Sequence, residues 1–154
     1  MSAAEELRDL YRELILDHAR NPRHFGKLSN ATHEAEGINP LCGDKLHLYL
    51  RVDEGSSIAD AAFEGSGCAI SVASASLLTD IVAGLETKTI DDLVDTITAR
   101  LAGKHGDEDI DERLSKLRAL EGVSEFPARV KCATLAWHAL RSAVHNDKNA
   151  ATTE

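Results

Sequence analysis

Three thiols and one carboxylate stand out: Cys42 and Asp44 in Pro40-Leu41-Cys42-Gly43-Asp44, Cys68 after Gly65-Ser66-Gly67, and Cys132 three residues after Arg129. Taken alone, each cysteine is a small buried hydrophobe, and the spacings match no zinc finger or ribbon. Local context changes that reading. Asp44 follows Cys42 by two positions, where an extended chain points both side chains to one side, so thiolate and carboxylate would converge. Cys68 stands at the start of a helix, where unpaired amides and the macrodipole favour a thiolate. Arg129 shares a helical face with Cys132 and offers a cation beside it. Three thiolates and one carboxylate make a closed tetrahedral donor set of the kind zinc prefers, and its net negative charge makes Arg129 electrostatically useful.

Those groups need elements to position them. Leu7, Leu10, Tyr11, Leu14 and Ile15 recur at helical intervals after the capping-box pair Ser2 and Glu5, and Asn21-Pro22 stops the helix. Leu46, Leu48 and Leu50 alternate with polar or charged neighbours, which predicts a strand with one buried face. Asp53-Glu54-Gly55-Ser56 turns it into a second strand near Ile58 to Phe63, and a weaker strand over Ala31 to Gly37 would pair with this hairpin. A small-residue helix follows over Ala69 to Ala83, with Gly84 as its stop and the Ser71-to-Ser76 series as a close helix contact. Thr89 with Asp92 predicts a capped helix ending at Gly103. A short helix with Ile110, Leu114 and Leu117 comes before Gly122, and Pro127 opens a last helix running to about Val144.

Helix, then sheet, then helices predicts an α+β domain: a small antiparallel three-stranded sheet packed against several helices. The 154 residues suit one domain, here residues 1–145, with 146–154 a polar, disordered tail. Acidic side chains outnumber basic ones by 26 to 17, for a net charge of −9, so phosphate backbones and anionic lipid are repelled. Neither nucleic acid nor membrane is an expected partner. No apolar run approaches the roughly 18–20 residues that cross a bilayer. Three cysteines cannot close a disulfide framework in a monomer, so a cytoplasmic location with free or metal-bound thiols is expected.

The other candidates read more simply as structure. His18 is expected to face the core, and none of the histidines pairs with a cysteine at metal-like spacing. Asp107, Asp109 and Asp111 imitate a calcium loop, but Glu112 occupies the turn-glycine position and Arg118 the bidentate-glutamate position, so the run reads as a solvated helix start. Trp137 is expected in the core.

The run from Leu10-Tyr11-Arg12 to Asp17-His18, Asn21-Pro22-Arg23, Asn39-Pro40-Leu41-Cys42-Gly43-Asp44, Gly65-Ser66-Gly67-Cys68-Ala69-Ile70-Ser71 and Phe126-Pro127-Ala128-Arg129-Val130-Lys131-Cys132 together resemble the SufU branch of the iron–sulfur assembly proteins, related to IscU and the N-terminal domain of NifU. Two features point to that branch. Lys131 stands where IscU-type scaffolds carry a ligand histidine, and residues 103–125 are inserted relative to them. The resemblance implies a zinc-dependent sulfurtransferase that stimulates a SufS-type pyridoxal-phosphate cysteine desulfurase and supplies downstream iron–sulfur assembly proteins. It implies zinc on Cys42, Asp44, Cys68 and Cys132, with Cys42 as the persulfide acceptor and a partner histidine replacing it on the metal. Arg129 would steady the freed thiolate or an acidic partner surface. Two alternatives stay open: a scaffold building a [2Fe–2S] cluster on the three cysteines, against which Lys131 argues, and a structural zinc adaptor.

Overall fold

The computed structural model describes residues 3–104, 112–146 and 151–152. Helix α1 (Ala3–Arg20) leads into β1 (His33–Asn39), β2 (Asp44–Val52) and β3 (Ile58–Ser66). Then come α2 (Ala69–Val82), a 3₁₀ turn over Thr87–Thr89, α3 (Ile90–Leu101), a 3₁₀ helix over Glu112–Glu125, α4 (Pro127–Val144) and β4 (Ala151–Thr152). The expected α+β architecture is present. Strands run in the order β3-β2-β1-β4, with β2 antiparallel to both β1 and β3.

One face of the sheet is apolar because Leu46, Leu48 and Leu50 fall on it, beside Ala35 and Gly37 of β1 and Ala61 and Phe63 of β3. Helices α4 and α2 cover that face, with Trp137 of α4 completely buried. A Cβ on Gly37 would lie 3.2 Å from Leu135 and 3.4 Å from Ala139, so this glycine lets α4 come down onto β1. Between α2 and α4 the Ser74 hydroxyl donates to the Ala133 carbonyl at 2.6 Å and accepts from Trp137 Nε1 at 3.1 Å. This buried knot fixes the two helices that carry Cys68 and Cys132.

Several expectations need correction. Strand β1 extends to Asn39, beyond the predicted Gly37, because the polar side chain of Asn39 is itself buried. The Thr89 capping box does not form: Thr89 Oγ1 donates to the Glu86 carbonyl at 2.8 Å, and the extra turn this closes precedes α3. The segment before Gly122 is a 3₁₀ helix that continues through that glycine. Leu117, Leu120 and Val123 are buried at intervals of three, the period of a 3₁₀ helix. Within the tail expected to be disordered, Ala151 and Thr152 pair in parallel with Gly37 and Ile38. The Ser2–Glu5 capping box, Ile110 and the calcium-like Asp107, Asp109 and Asp111 lie outside the described residues or rest on them.

His18 faces the core as expected, 1% exposed, with Nδ1 2.7 Å from Ser76 Oγ. Burial holds its pKa below the usual imidazole value of 6.5, and burial does the same to His138. Below that value the unfolded chain takes up protons that the native chain refuses, so stability falls with pH. The melting temperature should therefore drop from about pH 7 to about pH 5, less steeply in His18→Gln, whose amide keeps a partner for Ser76. A flat wild-type profile in calorimetry would contradict this.

Candidate metal centre

Asn39 and Asp44 face each other across the β1–β2 hairpin, and the Gly43 N–H closes its tip on the Asn39 carbonyl at 2.9 Å. Gly43 has φ +73°, a conformation open to glycine without steric cost. Cys42 is therefore carried on an exposed tip beside Leu41, whose side chain is also in solvent. Asp44 is the opposite case, 1% exposed. Its Oδ1 accepts the Cys68 N–H at 2.9 Å and its Oδ2 accepts Asn39 Nδ2 at 3.3 Å. The same Asn39 amide donates to Cys132 Sγ at 3.6 Å.

Cys68 is the N-cap of α2, its sulfur accepting the Ser71 N–H at 3.4 Å. Cys132 is buried in the second turn of α4. The donor atoms of Cys42, Asp44 and Cys132 lie within 4.8 Å of one another. Cys68 falls outside that set, although its sulfur bears on the Cys132 thiol. Three of the four expected ligands are thus brought together, with the fourth bonded to Asp44 through its backbone. No histidine joins them among the described residues.

Burial pushes the Cys132 thiol up from its ordinary value, and the Asp44 carboxyl and the Cys68 and Cys42 sulfurs push it the same way. So many acids cannot all ionise in one small volume without a cation. A divalent ion resolves the conflict by replacing their protons, and sulfur with one oxygen is a donor set suited to zinc.

Above the sulfurs opens a cavity of about 720 Å³ whose lining includes all three cysteines. Its walls come from Tyr11 and Ile15 of α1, Val123 of the long 3₁₀ helix and Phe126 ahead of α4. Arg129 lines the same space, with its guanidinium 4.9 Å above the Phe126 ring. It therefore reaches the site from an aromatic shelf.

Sequence reading missed two residues that shape the site. Asn39 holds a ligand from each of two elements, and Pro40 after it hid it in an apparent loop. Gly67 is the other: a Cβ there would lie 2.4 Å from Asp44 Oδ1 and 3.0 Å from its Cγ. Gly67→Ala should displace the carboxylate and weaken metal binding by about 10–100-fold, as losses around a ligand do. Chelator competition with the purified protein measures this, and unchanged affinity would contradict it.

The sequence pattern of the NifU-like N terminal domain matches residues 10–153. The chain belongs to the NifU-like N-terminal domain family. It is 42% identical over 148 residues to the zinc-dependent sulfurtransferase SufU of Bacillus subtilis, covering 96% of this chain and 98% of that one. With the iron–sulfur cluster assembly scaffold protein IscU of Streptococcus pyogenes it shares 38% identity over 149 residues, covering 96% and 91%. A crystal structure described as an iron–sulfur cluster assembly scaffold protein for the SUF system of Fervidobacterium islandicum superposes with a TM-score of 0.77 at 34% identity, covering 86% of this chain and 94% of that one. No helix among the described residues of this NifU-like chain is long and apolar enough to cross a membrane.

Proposed function

We propose that this chain is a zinc-dependent sulfurtransferase that takes persulfide sulfur from a SufS-type pyridoxal-phosphate cysteine desulfurase, stimulates that enzyme and feeds iron–sulfur cluster assembly. The observation that carries the reading is the meeting of Cys42, Asp44 and Cys132, with the cysteines lining an open cavity. The strong likeness to the Bacillus subtilis sulfurtransferase supports it. Cys42, Asp44, Cys68 and Cys132 are the proposed ligands, Cys68 joining the other three by turning its sulfur away from the Ser71 amide. Bound zinc would supply the positive charge that keeps these sulfurs as thiolates at neutral pH.

Cys42 is the acceptor because it sits on the exposed hairpin tip, whereas Cys68 and Cys132 are tied to helices. Its sulfur attacks the outer sulfur of the donor persulfide. A new S–S bond forms, the donor's S–S bond breaks, and the donor cysteine leaves as a thiolate with the electron pair. Cys42 then holds the transferred sulfur as –S–SH. Asp44 stays anchored by Asn39 and the Cys68 amide while the tip moves, so the site keeps its shape. Arg129, which lines the same cavity, would steady the freed thiolate. Free thiols suit the reducing cytoplasm, where we place this activity.

Anaerobic purification followed by titration of a cysteine desulfurase tests the reading. A colourless protein with about one zinc per chain, and a saturable rise in desulfurase turnover, is expected. A brown protein with visible absorption and no effect on the desulfurase would replace this reading with the cluster scaffold.

A further inference from the structure

Arg23, Arg51, Arg100 and Arg141 each pair with a carboxylate. Four described arginines, Arg12, Arg20, Arg118 and Arg129, form no ion pair with any described residue, and all but Arg20 line the cysteine cavity. In a chain of net charge −9 this gathers unneutralised positive charge at one mouth. The three come from separate elements: α1, the long 3₁₀ helix and α4. No described lysine lines the cavity. Arginine with aromatic side chains, and few lysines, is the composition of protein–protein contact surfaces.

The apolar surface points the same way. Phe25, Leu41 and Phe126 are the large hydrophobic side chains exposed among the described residues. Phe126 lines the cavity and Leu41 adjoins Cys42, so two of the three flank the mouth. A small molecule inside the cavity would leave Leu41 uncovered. A protein segment that enters the cavity and spreads over its rim would cover it.

We infer that Arg12 and Arg118 form, with Arg129, a docking collar for an acidic segment flanking the persulfide-bearing cysteine of the sulfur donor. This rests on the sulfur-transfer reading and names the chemistry by which the donor is recognised. The acidic segment lies against the collar, apolar side chains meet Leu41 and Phe126, and the donor sulfur is directed toward Cys42. Arg12 and Arg118 are positioning residues. Charges at such a rim act mainly on association, so their loss raises KM and weakens the salt dependence without changing kcat.

The test uses the zinc-loaded full chain, a cysteine desulfurase from the same organism, and the double variant Arg12→Glu/Arg118→Glu. Desulfurase turnover is measured against the concentration of each protein at about 50 mM and about 300 mM salt, a range over which exposed charges become screened. The double variant should keep wild-type zinc content and kcat, show a KM raised by about tenfold at low salt, and lose most of the wild-type salt dependence. A KM and salt response equal to those of wild type would overturn the collar while leaving the sulfur-transfer reading in place. A wild-type protein that neither binds nor stimulates the desulfurase would overturn both. Unchanged desulfurase kinetics with slower release of sulfur from Cys42 to glutathione would assign the arginines to a small anionic thiol and overturn the docking role.

Discussion

Cys42→Ser is expected to hold desulfurase turnover at its unstimulated rate, with no sulfur adduct on the protein. Serine has nearly the same shape, and the site is an exposed hairpin tip, so the cost in stability of the zinc-free fold should stay within about 0.5 kcal/mol. A hydroxyl, however, is a poor nucleophile toward a persulfide and cannot carry transferred sulfur. Circular dichroism checks the fold, and mass spectrometry after incubation with the desulfurase and cysteine checks loading. Cys68→Ser and Cys132→Ser are the informative controls: they remove a proposed ligand and leave the acceptor thiol in place. Wild-type stimulation by Cys42→Ser would remove Cys42 from the acceptor role.

Asp44→Ala should have the largest effect on metal retention. The carboxylate is a proposed ligand, and it also satisfies two donors, the Cys68 N–H and the Asn39 amide. Truncation leaves the Cys68 N–H unpaired, at about 1–3 kcal/mol, and leaves the Asn39 amide with its long contact to Cys132 Sγ. Zinc affinity should fall by at least about 100-fold, the upper end of what losing a partner around a ligand costs. Chelator competition reads the affinity and thermal melting reads the stability. The two readouts separate the roles. Loss of stability with unchanged zinc affinity would leave Asp44 as a structural acceptor and remove it from the ligand set.

Much of this was legible in the residues. The strict alternation of Leu46, Leu48 and Leu50 defined the central strand, and Cys42 and Asp44 do converge, though through a turn with Gly43 at φ +73° and not along an extended chain. Pro127 marked the start of α4, and Gly84 and Gly103, with φ of +89° and +87°, lie just beyond the helices they stop. What escaped was polar burial. Asn39 has the composition of a loop, and only its contacts with Asp44 and Cys132 explain why the strand continues to it. Gly67 looked like turn punctuation, whereas its missing Cβ is the space that the Asp44 carboxylate occupies. The 3₁₀ helix was concealed by expecting the α-helical period; Leu117, Leu120 and Val123 carry the three-residue period openly. The arginines at the cavity mouth are far apart in sequence, so no local pattern could unite them.

If three sulfurs and one carboxylate oxygen share a single zinc, the metal itself reports them. X-ray absorption at the zinc edge of the protein as purified measures the coordination shell directly. Three sulfur neighbours and one oxygen are expected for wild type, falling to two sulfurs in Cys68→Ser. A wild-type shell with two sulfurs or fewer, or a Cys68→Ser spectrum identical to wild type, would contradict the shared site.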